Sequence, residues 1–269
     1  MGRARLPKGH RRRASGAWPA LFLLGAAAVA IPGAGSGREA PAGPAAPAFM
    51  PIETAAAASV TRILAGSASA FLYVPPGYRG DRPMPLLVML HGAGGTPRGA
   101  IALVRRHADA LGLLILAPKS TAVTWDVIAD GRVGPDAAAL DALVRRASID
   151  YAVDQSRVAI GGFSDGASYA LTIGLARGER YSDIIAFSPG FAAPDLMTGM
   201  PAIFIAHGLQ DRVLPIETCS RRIVPRLRRA GYAVRYEEFA GGHAVPETLA
   251  REALQAFVQR PQVKQKIAA

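Results

Sequence analysis

The stretch Arg157-Val158-Ala159-Ile160-Gly161-Gly162-Phe163-Ser164-Asp165-Gly166 decides the fold. A short apolar run ends in Gly-x-Ser-x-Gly and leads into Ala167-Ser168-Tyr169-Ala170-Leu171, which has helical composition. This pattern predicts a strand that turns sharply into a helix and presents a serine at the turn. Gly162 and Gly166 fit that reading because so tight a turn leaves no room for side chains two residues either side of the nucleophile. Alone, the motif is a weak signal. Its weight comes from His91, Asp211 and His243, which follow other apolar runs in a telling order.

Working outward, apolar runs predict strands at Thr61-Leu64, Ala70-Val74, Leu86-Leu90, Leu113-Ala117, Arg157-Ile160, Ile184-Ser188, Ile203-Ala206 and Val234-Phe239. Several lack polar alternation, as parallel strands buried on both faces do. Helical stretches fall between them at 99–111, 136–148, 166–178, 217–230 and 246–258. Pro135-Asp136 and Pro246-Glu247 put proline and acid where helices start. The class is therefore α/β: a mostly parallel central sheet of about eight strands, helices on both faces and an antiparallel start. Few residues are left over between these elements, so no large lid is expected.

In such sheets ligand chemistry gathers at the carboxyl ends of the strands. Four motifs fall there: His91-Gly92-Ala93-Gly94-Gly95, Ser164, His207-Gly208-Leu209-Gln210-Asp211, and Gly241-Gly242-His243. A serine hydroxyl attacks well only when an imidazole takes its proton, and that imidazole needs a carboxylate to hold its tautomer. Ser164, His243 and Asp211 fit these roles. Asp183 and Asp195 compete for the acid position, but only Asp211 follows a strand between the serine and the histidine. His91 and His207 read as loop supports, and Cys219 has no turn motif or partner histidine to make it a nucleophile. The turn after His91 also carries Gly92-x-Gly94, yet a dinucleotide fingerprint needs a further glycine where Pro97 stands.

The chain has 269 residues, a formal charge of +11 and a single cysteine, Cys219. Much of the charge lies at the start. Arg3, Arg5, Lys8, Arg11, Arg12 and Arg13 precede an apolar run from Ala17 to Ile31 and a small-x-small site, Ala28-Val29-Ala30. Residues 1–30 therefore read as an export signal; the run is shorter than the ~20 residues that span a bilayer. Adjacent arginines at 11–13 leave both the general and the twin-arginine routes open. Cleavage after Ala30 removes those six charges and lowers the net charge from +11 to +5. Residues 31–50, rich in Pro, Ala and Gly, read as a linker, 51–261 as the folded domain and 262–269 as a tail. Arg221, Arg222, Arg226, Arg228 and Arg229 have the spacing of a solvated helix face, not of a nucleic-acid stripe. No cysteine–histidine cluster has metal-ligand spacing.

With these motifs together, the chain resembles the α/β-hydrolases, specifically their phospholipase/carboxylesterase and acyl-thioesterase branch, and is similar to secreted polyester depolymerase and feruloyl-esterase-like proteins. Leu90–Gly95, Gly162–Ser168, Ala206–Pro215 and Gly241–Pro246 carry the likeness, which spans roughly residues 60–258. It implies Ser164 as nucleophile, Asp211 as acid and His243 as base, with the backbone N–H groups of Ala93 and Asp165 as oxyanion donors. It implies no metal or organic cofactor and a small-molecule ester substrate. Asp165 departs from the Gln or Met common after the serine, which bears on substrate preference more than on a backbone donor. Trp125 and Phe191 are the candidate pocket residues, although a tryptophan after a strand is as readily a packed one. Peptidase activity and non-catalytic binding on the same scaffold are the alternatives.

Overall fold

The computed structural model describes residues 57–261 together with the backbone of Arg12 and Arg13. The expected export signal, linker and C-terminal tail otherwise lie outside the described residues.

In chain order the elements are β1 (Arg12–Arg13), β2 (Ser59–Ala65), β3 (Ala68–Val74), β4 (Met84–Leu90), α1 (Pro97–Leu111), β5 (Leu114–Pro118), α2 (Asp126–Ala129) and α3 (Pro135–Asp150). They continue with β6 (Val153–Phe163), α4 (Asp165–Ala176), β7 (Asp183–Phe187), β8 (Leu196–Met197), β9 (Ala202–Gly208), α5 (Ser220–Arg229), β10 (Val234–Phe239) and α6 (Glu247–Gln259). Eight strands form one sheet in the order β10-β9-β7-β6-β4-β5-β3-β2. β2 and β3 are antiparallel, as is the β3–β5 pair, and all other neighbours in this sheet are parallel. β1 and β8 make a separate antiparallel pair.

Every residue of β4, β5 and β7 is buried, which explains why their sequences are apolar runs, broken only by Asp183 at the start of β7. The two faces of the sheet carry separate cores. One is filled by Leu140, Leu143 and Val144 of α3, by Tyr169 and Leu171 of α4, and by Ile223 and Leu227 of α5. The other takes Ile101 and Val104 of α1 and Leu254 and Phe257 of α6. α1 starts where Thr96 accepts from Gly99 N–H at 3.0 Å with Pro97 next, and it stops at Gly112, whose φ is 58°. β10 is an edge strand kept polar by Arg235, Glu237 and Glu238, which blunts further pairing. On the basic face of α5, Arg221 is ion-paired, holding Glu238 at 2.7 Å and Glu217 at 3.1 Å.

The parallel strands therefore end together. β4, β6 and β9 release the His91, Ser164 and Asp211 loops from the same sheet edge.

Candidate active site

Ser164 joins β6 to α4 with φ 59° and ψ −122°, a region natural to glycine and strained for any side chain. The turn is held from three sides. Ser164 N–H donates to Phe187 O at 3.0 Å, and Ser164 O accepts from the N–H groups of Ala167 and Ser168, each at 3.0 Å. A Cβ on Gly162 would lie 2.3 Å from the carbonyl carbon of Gly166, and one on Gly166 would lie 2.4 Å from Leu90 O. These obstacles are backbone and cannot swing aside. Gly166→Ala is accordingly expected to lower stability by about 3 kcal/mol or more, read as a drop in the urea midpoint at unchanged slope.

Asp211 lies in the loop after β9, 6% exposed. Its Oδ1 accepts from Val213 N–H and Leu214 N–H, both at 2.9 Å. Its Oδ2 accepts from His243 Nδ1 at 2.7 Å and faces His207 Nε2 at 3.2 Å. Burial opposes ionisation of Asp211. The hydrogen bonds from Leu214, His243 and Val213 outweigh it and hold the carboxyl below its usual range. His243 follows Gly241-Gly242, and its ring lies 4.6 Å from that of Phe163, the residue before the serine. The Ser164 hydroxyl makes no hydrogen bond among the described residues; such contacts in ligand-free sites commonly shorten only with substrate in place.

His207 and His91 are fixed by their partners. His207 is fully buried, and its Nε2 donates to Leu214 O at 2.8 Å, so its Nδ1 accepts from the Ser220 hydroxyl at 2.6 Å. Burial lowers its pKa and keeps it neutral. His91 accepts from Ser120 N–H through Nε2 at 3.3 Å, which leaves Nδ1 to donate to Gly92 O at 2.8 Å. Both are loop supports, and neither has a nitrogen free to act as base. Asp195 is exposed, and Asp183 starts β7, where Arg260 binds it at 2.7 Å. Burial raises the Cys219 thiol, so it is not an activated nucleophile.

Ala93 is exposed in the turn after β4, and Asp165 opens α4. Their N–H groups have no acceptor among the described residues. The Asp165 carboxylate does have a partner, the Thr124 hydroxyl at 2.6 Å.

Of the two readings open for Trp125, the packed one is supported. It is 1% exposed, stacked on Tyr169 at 5.1 Å, and donates through Nε1 to His91 O at 2.9 Å. It is a packed residue and not a pocket wall, because both of its faces and its polar edge are already taken. Phe191 is partly buried and packs against the same core. Sequence reading also missed a clasp behind this loop. Asp126 N–H donates to Asp136 Oδ2 at 2.9 Å while Asp136 N–H donates to Asp126 Oδ2 at 2.8 Å. None of the triad candidates lines the cavity of about 480 Å³ between Glu179, Met200, Arg229 and Tyr232. Among the described residues no group of three or more His, Cys, Asp or Glu could hold a metal ion.

The chain is similar to known proteins in sequence and in fold. Residues 129–259 match the model of a family described as phospholipase/carboxylesterase. That segment contains Ser164, Asp211 and His243 but not the turn after His91. An S-formylglutathione hydrolase from Staphylococcus aureus superposes with a TM-score of 0.61 at 14% identity, covering 75% of this chain and 96% of that one. The chain has the α/β-hydrolase fold. Within that fold it is also similar to a ferulic acid esterase from Anaeromyces mucronatus, with a TM-score of 0.54 and 19% identity over 75% of this chain and 90% of that one. In sequence it is 24% identical over 155 residues to a probable feruloyl esterase C of Aspergillus terreus, covering 54% of this chain and 56% of that protein. The chain thus spans about half the length of the curated relatives it matches. No helix among its described residues is long and apolar enough to cross a membrane.

Proposed function

We propose that this protein, with its α/β-hydrolase fold, is a serine esterase that cleaves carboxylic ester or thioester bonds of a small molecule through an acyl-enzyme. The observation that carries the reading is the 2.7 Å bond from His243 Nδ1 to Asp211 Oδ2, with the imidazole 4.6 Å from the ring of Phe163, the residue before a serine held in a strained strand-to-helix turn. The bond leaves His243 Nε2 as the basic atom, because Nδ1 carries the shared proton. Strain at Ser164 supports the same reading, since strained backbone clusters at functional sites.

In the first step Ser164 Oγ attacks the ester carbonyl carbon and its proton passes to His243 Nε2. The carbonyl π electrons move to oxygen, where the N–H groups of Ala93 and Asp165 receive the charge. His243 then returns the proton to the departing oxygen or sulfur as that bond breaks. Water then gives a proton to His243 as its oxygen attacks the acyl carbon, and the acyl–Oγ bond breaks as His243 returns that proton to Ser164 Oγ, releasing the acid and the free serine. Asp211 stays ionised throughout and stabilises the imidazolium without taking its proton. The apolar sequence of residues 17–31 and its basic lead support export as part of this reading.

The test is active-site labelling. A fluorophosphonate should modify the protein stoichiometrically, at Ser164 by peptide mass, and block hydrolysis of p-nitrophenyl butyrate in proportion. A folded protein that takes no label and turns over no ester would be a binding protein on this scaffold.

A further inference from the structure

The two oxyanion donors come from turns that follow neighbouring strands, β4 and β6. The turns pack directly on each other: a Cβ on Gly92 would lie 3.2 Å from Ser164 Cβ, and one on Gly166 would lie 2.5 Å from His91 O. That packing fixes Gly92 and Gly166, and a third segment ties down the donors beside them. Between β5 and α2, residues 119–125 cross both turns and bond to each.

To the first turn the segment makes three contacts. Ser120 N–H donates to His91 Nε2 at 3.3 Å, Gly94 N–H donates to Val123 O at 2.8 Å, and Trp125 Nε1 donates to His91 O at 2.9 Å. Ala93 sits between the bonded residues, so its peptide plane is gripped from both sides. To the second turn it makes one contact, from Thr124 Oγ1 to Asp165 Oδ2 at 2.6 Å. The segment itself is anchored beneath. Thr121 N–H donates to Asp136 Oδ1 at 2.8 Å, and the Asp126–Asp136 clasp closes its far end. Trp125 is wedged between His91, 4.9 Å away, and Tyr169, 5.1 Å away.

We propose that residues 119–125 are the strap that sets the oxyanion hole, with Thr124 and Trp125 as its positioning residues. Neither touches the reacting atoms; each acts through a donor. Thr124 has a second effect. Asp165 is in no ion pair among the described residues, so its carboxylate would otherwise compete with the developing oxyanion for nearby N–H groups. The Thr124 hydroxyl engages one carboxylate oxygen and keeps it turned toward the strap. The inference rests on the serine-esterase reading and deepens it.

Because donor placement matters only once charge reaches the carbonyl oxygen, the strap should act on kcat and not on substrate binding. An ångström of misplacement costs up to about 10²-fold. Thr124→Val, which keeps the shape and removes the hydroxyl, should lower kcat for p-nitrophenyl butyrate about 10- to 100-fold with KM changed less than about twofold. Trp125→Phe, which keeps a ring and removes the N–H, should do the same. Thr124→Ser should restore most of the rate.

The deciding readout is a trifluoromethyl ketone. Ser164 Oγ adds to its carbonyl carbon, the proton goes to His243 and the π pair becomes an oxyanion in the same hole. Its inhibition constant should rise by the factor that kcat/KM falls. An unchanged kcat in folded Thr124→Val, a loss confined to KM, or a ketone affinity that stays fixed would overturn the strap. If Trp125→Phe does not fold, Thr124→Val decides alone. Wild-type protein that takes no fluorophosphonate label would instead overturn the esterase reading; labelled wild type with an insensitive Thr124→Val variant defeats the strap only.

Discussion

Ser164→Ala should abolish ester turnover, by about 10⁶-fold in kcat, while leaving the fold intact. The hydroxyl makes no hydrogen bond among the described residues, so its removal strands no partner. Stability should change by no more than about 0.5 kcal/mol, as for substitutions that break no contact. Ser164→Gly separates the backbone from the chemistry. At φ 59° and ψ −122° a side chain costs of order 1–3 kcal/mol. Glycine relieves that strain but loses about 0.5–1 kcal/mol of chain entropy. The balance predicts an equally inactive protein that is more stable than wild type by about 1 kcal/mol in urea unfolding. A serine that served only as a turn residue would show no loss of turnover in either variant. Residual activity within tenfold of wild type in Ser164→Ala would remove it from the mechanism.

What sequence revealed and what it hid divide along physical lines. The strands were legible because β4, β5 and β7 are buried on both faces, and such strands are mostly apolar runs. The antiparallel start was legible because two extended segments, now β2 and β3, precede any helix. The three candidate side chains were legible because each sits directly after a strand, where chain order survives as spatial order. The four-residue α2 was not, since one turn of helix has no period to detect. Trp125 stayed ambiguous because its environment is supplied by Tyr169, far along the chain. The clasp was half visible. Asp136 was read as a favourable charge at a helix start, but its carboxylate is spent on the amides of Thr121 and Asp126, a pairing set by a loop's path. His207 was read correctly as a support, although nothing local shows that it leans on the same Asp211 oxygen as His243.

That shared oxygen makes Asp211→Asn a severe change. In wild type both carboxylate oxygens face only donors: two backbone N–H groups at Oδ1, and His243 with His207 at Oδ2. An asparagine must turn its NH₂ toward one set. Turned toward Val213 and Leu214, it opposes two amides that cannot move. Turned toward the imidazoles, it meets His243, which can change tautomer, and His207, which keeps Leu214 O as its acceptor. The second arrangement costs less and should prevail. His243 then accepts at Nδ1 and carries its proton on Nε2, where it cannot take one from Ser164. The expected loss is about 10⁴-fold in kcat with little change in KM, and about 1–3 kcal/mol of stability. The stability loss should depend on pH in a definite sense. The folded Asp211 pKa is depressed, so the wild-type carboxylate contributes stability above the ordinary value near 3.9 and loses it as pH falls through the folded value. The gap between wild type and Asp211→Asn should therefore be constant from neutral pH down to about 5 and narrow below about 4. A gap that widens on acidification, or a kcat within tenfold of wild type, would show that Asp211 is not the partner of His243.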